Sequence, residues 1–156
     1  MKAKPLPEGF HSLVPSLIVN NSMKAIEFYQ QVFGAKKRSI FNLPDGSTLH
    51  AELLIGDSIL MLSDEFPNMN AFSPLSPKGG TSASLLLYVD DVNTVFNKAV
   101  SAGSKVTMPL QDAFWGDRAG GIVDPFGHNW LIATHIKDMS NEELEKAMTE
   151  MFAKKS

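Results

Sequence analysis

The sequence predicts an α+β protein: two tandem βαβββ modules forming an open, cup-shaped mixed sheet, with a further helix at the C-terminus. Three observations predict it. A strand–cap–helix–glycine pattern occurs twice in the same order, three short strand patterns follow each copy, and a capping box stands near the end of the chain.

The first copy begins with the apolar-rich residues 13–19, a strand pattern, followed by Asn20, Asn21 and Ser22. The second begins with residues 84–89, followed by Asp90 and Asp91. Side chains of these polar types accept hydrogen bonds from the N–H groups that the first turn of a helix leaves unpaired. The helices follow. Ala25, Ile26, Tyr29, Val32 and Phe33 lie on one face at helical spacing, and Val92, Val95, Phe96, Ala99 and Val100 do the same. Gly34 and Gly103 end them, because glycine takes a positive φ without a Cβ clash.

Strands are then expected at residues 37–43, 48–55 and 58–63, separated by Pro44-Asp45-Gly46 and Gly56-Asp57. Their counterparts are expected at 105–110, 116–124 and 128–134, the last turn being Asp124-Pro125-Phe126-Gly127. The organisation is an N-terminal arm (1–12) and one domain (13–140) containing module one (13–63), a linker (64–82) and module two (83–136). The linker is rich in Pro, Gly, Ser and Asn and long for an unstructured connection, so a lid is a second reading of it. A helix over 140–156 opens with the S-x-x-E pattern of Ser140 and Glu143, and Leu144, Met148, Met151 and Phe152 form its apolar stripe. Such a helix would dock on the domain or on a partner subunit.

Composition excludes several function classes. A net charge of -3 offers no electrostatic footprint for nucleic acid or an anionic membrane. Lys36-Lys37-Arg38 reads as a solvated strand start rather than a binding patch. There are no cysteines, which removes thiolate catalysis and Cys-based metal sites. The arm has charge without an apolar segment behind it, and no apolar run approaches the roughly 20 residues that span a bilayer. The expected location is the cytoplasm.

Several motifs carry a family resemblance: Ala25-Ile26-Glu27-Phe28-Tyr29, Phe33-Gly34-Ala35 and Asp124-Pro125-Phe126-Gly127-His128 on a doubled βαβββ plan. The chain resembles the vicinal-oxygen-chelate superfamily, which includes glyoxalase I, fosfomycin and bleomycin resistance proteins and extradiol dioxygenases. His50-Ala51-Glu52-Leu53, Gly56-Asp57-Ser58, Asp64-Glu65-Phe66-Pro67, Phe114-Trp115-Gly116-Asp117-Arg118 and Ala133-Thr134-His135 look like its PhnB-like branch. The resemblance implies the glyoxalase/bleomycin resistance fold, a homodimer, and metal positions at Val14, Met61, Ser84 and Leu131. None of these four is a usual ligand, because a divalent ion needs deprotonated N, O or S donors. No metal site and no cofactor is therefore assigned.

A two-residue turn at Gly56-Asp57 pairs Ile55 with Ser58, so Glu52 lies opposite Met61 and His50 opposite Ser63. Alternation then puts His50, Glu52, Leu54, Ile59, Met61 and Ser63 on the cavity face, with Leu53, Leu60 and Leu62 on the other. In module two the same argument gives Trp115, Asp117, Gly121, Val123, Asn129 and Leu131, with Ser84, Leu86 and Tyr88. His50 and Glu52 fit an acid/base pair, pocket lining, or two solvated residues. Trp115 fits an aromatic wall or core packing, and Tyr88 fits pocket closure or packing. His11, His128 and His135 read as turn or surface histidines.

The leading functional reading is a small-molecule-binding protein whose apolar pocket holds a few polar groups: Met61, Ser63, Ser84, Leu86, Tyr88, Trp115, Asp117 and Leu131. The alternatives are a lyase or isomerase using Glu52 and His50, with or without a displaced metal site, and a purely structural or regulatory dimer.

Overall fold

A computed structural model describes residues 3–154, so the first and last residues of the expected arm and tail helix lie outside the described residues. The chain divides into two compact units, Met1–Ser82 and Ala83–Ser156. The first contains β1 (Ser16–Ile18), α1 (Ser22–Phe33), β2 (Lys36–Asn42), β3 (Thr48–Ile55) and β4 (Ser58–Ser63). The second contains β5 (Ser84–Tyr88), α2 (Val92–Ser101), β6 (Lys105–Asp112), β7 (Asp117–Val123), β8 (Asn129–His135) and α3 (Asn141–Ala153). Each unit holds an open four-stranded mixed sheet, ordered β1-β4-β3-β2 in one and β5-β8-β7-β6 in the other. The first and last strands of each unit run parallel and the remaining pairs antiparallel. The fold is the expected doubled βαβββ.

The caps work as their chemistry requires. Asn21 Oδ1 accepts from Lys24 N–H at 3.0 Å, and Asp91 Oδ1 from Thr94 N–H at 3.1 Å. A second device ties each helix start to its sheet. Asp64 accepts from the N–H groups of Ser22 and Thr48, both at 2.7 Å. The matching place in the second unit is Thr134, whose Oγ1 accepts from Val92 N–H at 2.9 Å and donates to Val89 O at 2.8 Å. Asp64, expected as the start of the linker and as part of a motif carrying the family resemblance, thus closes the first module.

The cores lie between each sheet and its helix. Ile26 and Tyr29 of α1 are fully buried, as are Leu53 and Leu62 of the sheet. Burying such a side chain contributes about 1.5–3 kcal/mol each. In the second unit Phe96 of α2 and Ile122 and Ile132 are buried. Here α2 lies so close to β7 that a Cβ on Gly120 would stand 2.4 Å from the Phe96 ring. Gly120 therefore marks the helix-side face of β7, and Asp117, Ala119 and Gly121 alternate onto the opposite face.

The linker has structure of its own. Phe66 and Ala71 form a β-bridge around the short 3₁₀ turn Pro67–Met69, and Glu65 Oε1 accepts from Ser73 N–H at 2.8 Å. Ser73 O then accepts from Ser76 N–H, and Ser76 O from Gly79 N–H, giving a chain of turns that satisfies its own backbone. At the other end α3 carries the expected capping box, with Ser140 Oγ accepting from Glu143 N–H at 3.2 Å. Among the described residues, no residue of α3 is buried and no helix is long and apolar enough to cross a membrane.

Candidate functional site

On module one, β3 and β4 pair in the expected register, Glu52 opposite Met61 and Ile55 opposite Ser58. This places His50, Glu52, Leu54, Ile59, Met61 and Ser63 on the face opposite the Leu53, Leu60 and Leu62 core. Ile59 is buried there and the other five are half-buried. His50 Nε2 lies 3.1 Å from Glu52 Oε1, a direct contact between the two side chains for which an acid/base pair, pocket lining and a solvated pair are the readings. Two further residues join them. Arg38 Nε lies 3.8 Å from Glu52 Oε2, with its guanidinium 5.2 Å from the centre of the Phe10 ring, and Phe41 stacks on His50 at 6.2 Å. Arg38 belongs to the basic run that reads as solvated, and its lysine neighbours are indeed exposed at the start of β2.

On module two, the face opposite α2 carries Ser84, Leu86 and Tyr88 from β5 and Asn129, Leu131, Ala133 and His135 from β8. It also carries Asp117, Ala119, Gly121 and Val123 from β7. Leu86 and Tyr88 are large side chains left half exposed, at 50% and 56%. Trp115 stands in the turn before β7, which closes through Ala113 N–H to Asp117 O at 2.7 Å.

The centre of this face is Asp117, nearly fully buried. Its Oδ2 accepts from the Tyr88 hydroxyl and from Trp115 Nε1–H, both at 2.9 Å, and its Oδ1 lies 2.7 Å from His135 Nδ1. His135 Nε2 lies 2.9 Å from the exposed Asp138. Gly116 braces the arrangement. It takes φ +95°, its carbonyl accepts from both Ile136 and Lys137 N–H at 2.9 Å, and a Cβ there would stand 2.1 Å from Lys137 O. The end of β8, and with it His135, is thereby clamped against the turn that holds Trp115.

The electrostatics follow from these contacts. Burial pushes the Asp117 carboxyl upward, but hydrogen bonds from His135, Tyr88 and Trp115 together hold it below its ordinary range. The Tyr88 hydroxyl is raised, first by its bond to Asp117 and then by burial, so it remains a donor. His135 is raised by its bonds to Asp117 and Asp138, because only the protonated ring can donate from both nitrogens.

Arg118 points the other way. It bonds Asp112 at 2.8 Å and Asn93 at 2.9 Å on the helix side, so it does not share a group with Asp117, as strand alternation requires. His128 is buried within the Asp124 turn, in agreement with the turn reading of that motif. His135 was the residue missed. Expected as a surface histidine beyond the last strand, it is exposed, but it is the final residue of β8, two alternations on from Leu131, and reaches Asp117.

The four positions that the resemblance implies for metal ligands carry side chains that do not suit a divalent ion. Val14 lies before β1, Met61 pairs with Ser16 and Glu52, Ser84 opens β5, and Leu131 pairs with Leu86 and Gly121. Two aliphatic groups, a thioether and a hydroxyl lack the donors such an ion requires. Among the described residues no group of three or more His, Cys, Asp or Glu side chains is arranged to hold a metal ion.

Comparisons with known proteins agree on the architecture. The family described as the Glyoxalase/Bleomycin resistance protein/Dioxygenase superfamily matches residues 9–132. The Mycobacterium tuberculosis (strain H37Rv) protein Rv0887c is 36% identical over 140 residues, covering 88% of this chain and 82% of that protein. The crystal structure of PA1353 from Pseudomonas aeruginosa matches with a TM-score of 0.68 and 27% identity, covering 81% of this chain and 99% of that one. A PhnB protein from Bacillus cereus has the same fold at a TM-score of 0.63 and 21% identity, covering 80% of this chain and 99% of that one.

Proposed function

The chain belongs to the glyoxalase/bleomycin resistance protein/dioxygenase superfamily, and on that premise we propose that it binds a mostly apolar small molecule without a metal ion. One observation carries this reading: the module-two face presents Leu86, Leu131, Tyr88 and Trp115 around a buried carboxylate that locks the polar ends of the two aromatic side chains. Rigid apolar and aromatic surface with a few fixed polar groups is what a small-molecule site requires. Ser84 completes the contacts proposed there, Asp117 contributes by holding Tyr88 and Trp115 in place, and Met61 and Ser63 are the corresponding proposal on module one.

The test uses a ligand found by screening the purified protein. Trp115→Ala should weaken its binding by about 1 kcal/mol or more through lost area and lost stacking. Unchanged affinity in calorimetric titration would contradict the assignment.

A second reading rests on the contact between His50 and Glu52: a lyase or isomerase in which the two residues pass a proton to and from substrate. Under it, Glu52→Gln abolishes turnover while leaving thermal stability nearly unchanged. Under the binding reading, no turnover of the screened ligand is seen with either protein.

We further propose a homodimer. Met148 and Phe152 are exposed on α3, a helix with no buried residue, and apolar side chains so placed suit a partner subunit. Sedimentation at micromolar concentration should give twice the chain mass; a single monomeric species would contradict it.

A further inference from the structure

We infer that the module-two face selects an organic cation carrying N–H donors, a primary or secondary ammonium beside an apolar body; this rests on the binding reading above and specifies its ligand class. The argument comes from the direction of each hydrogen bond. Tyr88 has one hydroxyl proton and gives it to Asp117 Oδ2. Trp115 has one indole N–H and gives it to the same oxygen. Neither side chain retains a donor for a ligand.

What remains is the complement. The Tyr88 oxygen keeps its acceptor lone pairs, and donating to a carboxylate makes it a better acceptor. Tyr88 is more than half exposed, so this oxygen belongs to an accessible side chain, while Asp117 itself is nearly fully buried. The aromatic faces of Tyr88 and Trp115 attract cations, and Phe114 lies edge-on to Trp115 with ring centres 5.2 Å apart, adding a third ring. The surrounding charges have the same sign. Asp117 and Asp138 outnumber the one imidazole between them, so the group is negative whether or not His135 is protonated. Lys137 lies 3.9 Å from Glu143, and Arg118 is committed to Asp112 on the opposite face of the sheet. An anion would meet acceptors and negative charge, with no donor among these aromatic side chains to receive it.

The inference is tested by titrating 2-phenylethylammonium, phenylacetate and phenyltrimethylammonium into ¹⁵N-labelled protein while following the Trp115 indole N–H resonance. That resonance is identified by its loss in Trp115→Phe. Saturable shifts are expected with 2-phenylethylammonium, with affinity at least about tenfold above that for phenylacetate. Tyr88→Phe keeps the ring and removes the acceptor, so it should reduce binding of 2-phenylethylammonium by about fivefold or more. Binding of phenyltrimethylammonium, which has the charge but no N–H, should be little changed by the same substitution.

Phenylacetate binding as tightly as the ammonium compound, or equal losses for both cations in Tyr88→Phe, would overturn the inference. If neutral or anionic compounds from the ligand screen shift the Trp115 resonance and these cations do not, the binding site stands and its cation preference falls. If no compound that stabilises the protein moves the Trp115 resonance, the site itself is elsewhere.

Discussion

Asp124→Ala is expected to destabilise the protein by about 3–5 kcal/mol, a large share of the roughly 5–15 kcal/mol that holds a domain together. The carboxyl group of Asp124 organises the turn between β7 and β8. Its Oδ1 accepts from Phe126 N–H at 2.9 Å and His128 N–H at 3.0 Å, and its Oδ2 accepts from Trp130 Nε1–H at 2.9 Å. Asp124, Phe126, His128 and Trp130 are all buried, so water does not replace the lost acceptor. Removing an acceptor that serves three buried donors costs more than three ordinary hydrogen bonds contribute, because burial limits replacement by water. Urea denaturation at neutral pH measures the effect. A loss below about 1 kcal/mol would mean that the turn is held by its backbone hydrogen bonds, Asp124 N–H to His128 O and Gly127 N–H to Asp124 O, together with Pro125 and the positive φ of Gly127.

Asp117→Asn has a different signature. Like Asp124, Asp117 takes part in three hydrogen bonds, here all with side chains, but two of its partners, Tyr88 and His135, reach solvent. The expected loss is therefore smaller, about 2 kcal/mol, and it should depend on pH. The Asp117 carboxyl lies below its ordinary value of 3.8, so its stabilisation is complete above that value and is lost as pH falls through the lower folded value. The His135 imidazole lies above its ordinary value of 6.5, so its contribution is complete below 6.5 and is lost as pH rises through the higher folded value. The pair is worth most between those two ordinary values. In Asp117→Asn the acid limb should flatten, and the alkaline limb should shrink to what Asp138 alone supplies. Melting temperatures measured from pH 3 to pH 9 would show it; parallel wild-type and variant curves would contradict the assigned charges.

These two aspartates also show how much could be read before the fold was seen. The turn at Asp124 was legible because Pro and Gly at fixed offsets leave few backbone choices, and the strand alternation that put Asp117 on the open face puts Arg118 on the other. The β3–β4 register was legible for a similar reason: a two-residue turn at Gly56-Asp57 determines every pair outward from it, including Glu52 with Met61. His135 and Asp64 were not. Each acts through partners far along the chain, Asp117 for one and the backbone of Ser22 and Thr48 for the other. Local pattern carries no trace of a hydrogen bond between residues 42 apart, as that of Asp64 with Ser22 is. The alternation that put Leu131 on the open face did reach His135, had the strand been extended by one residue to its true end.

The two histidine–carboxylate pairs make the two functional readings separable. On module one the pair lies beside Arg38 and Phe41, while on module two its carboxylate is bonded by two aromatic side chains whose donors are already committed. The first arrangement leaves a carboxylate half-buried on the sheet face; the second hides it and leaves rings outside.

The most direct measurement is a thermal-shift screen of small molecules run in parallel with a chelator and with added divalent ions. The binding proposal predicts compounds that raise the melting temperature equally in both conditions, and whose effect is diminished in Trp115→Ala. Stabilisation that appears only with a divalent ion, or that persists undiminished in Trp115→Ala, would contradict it.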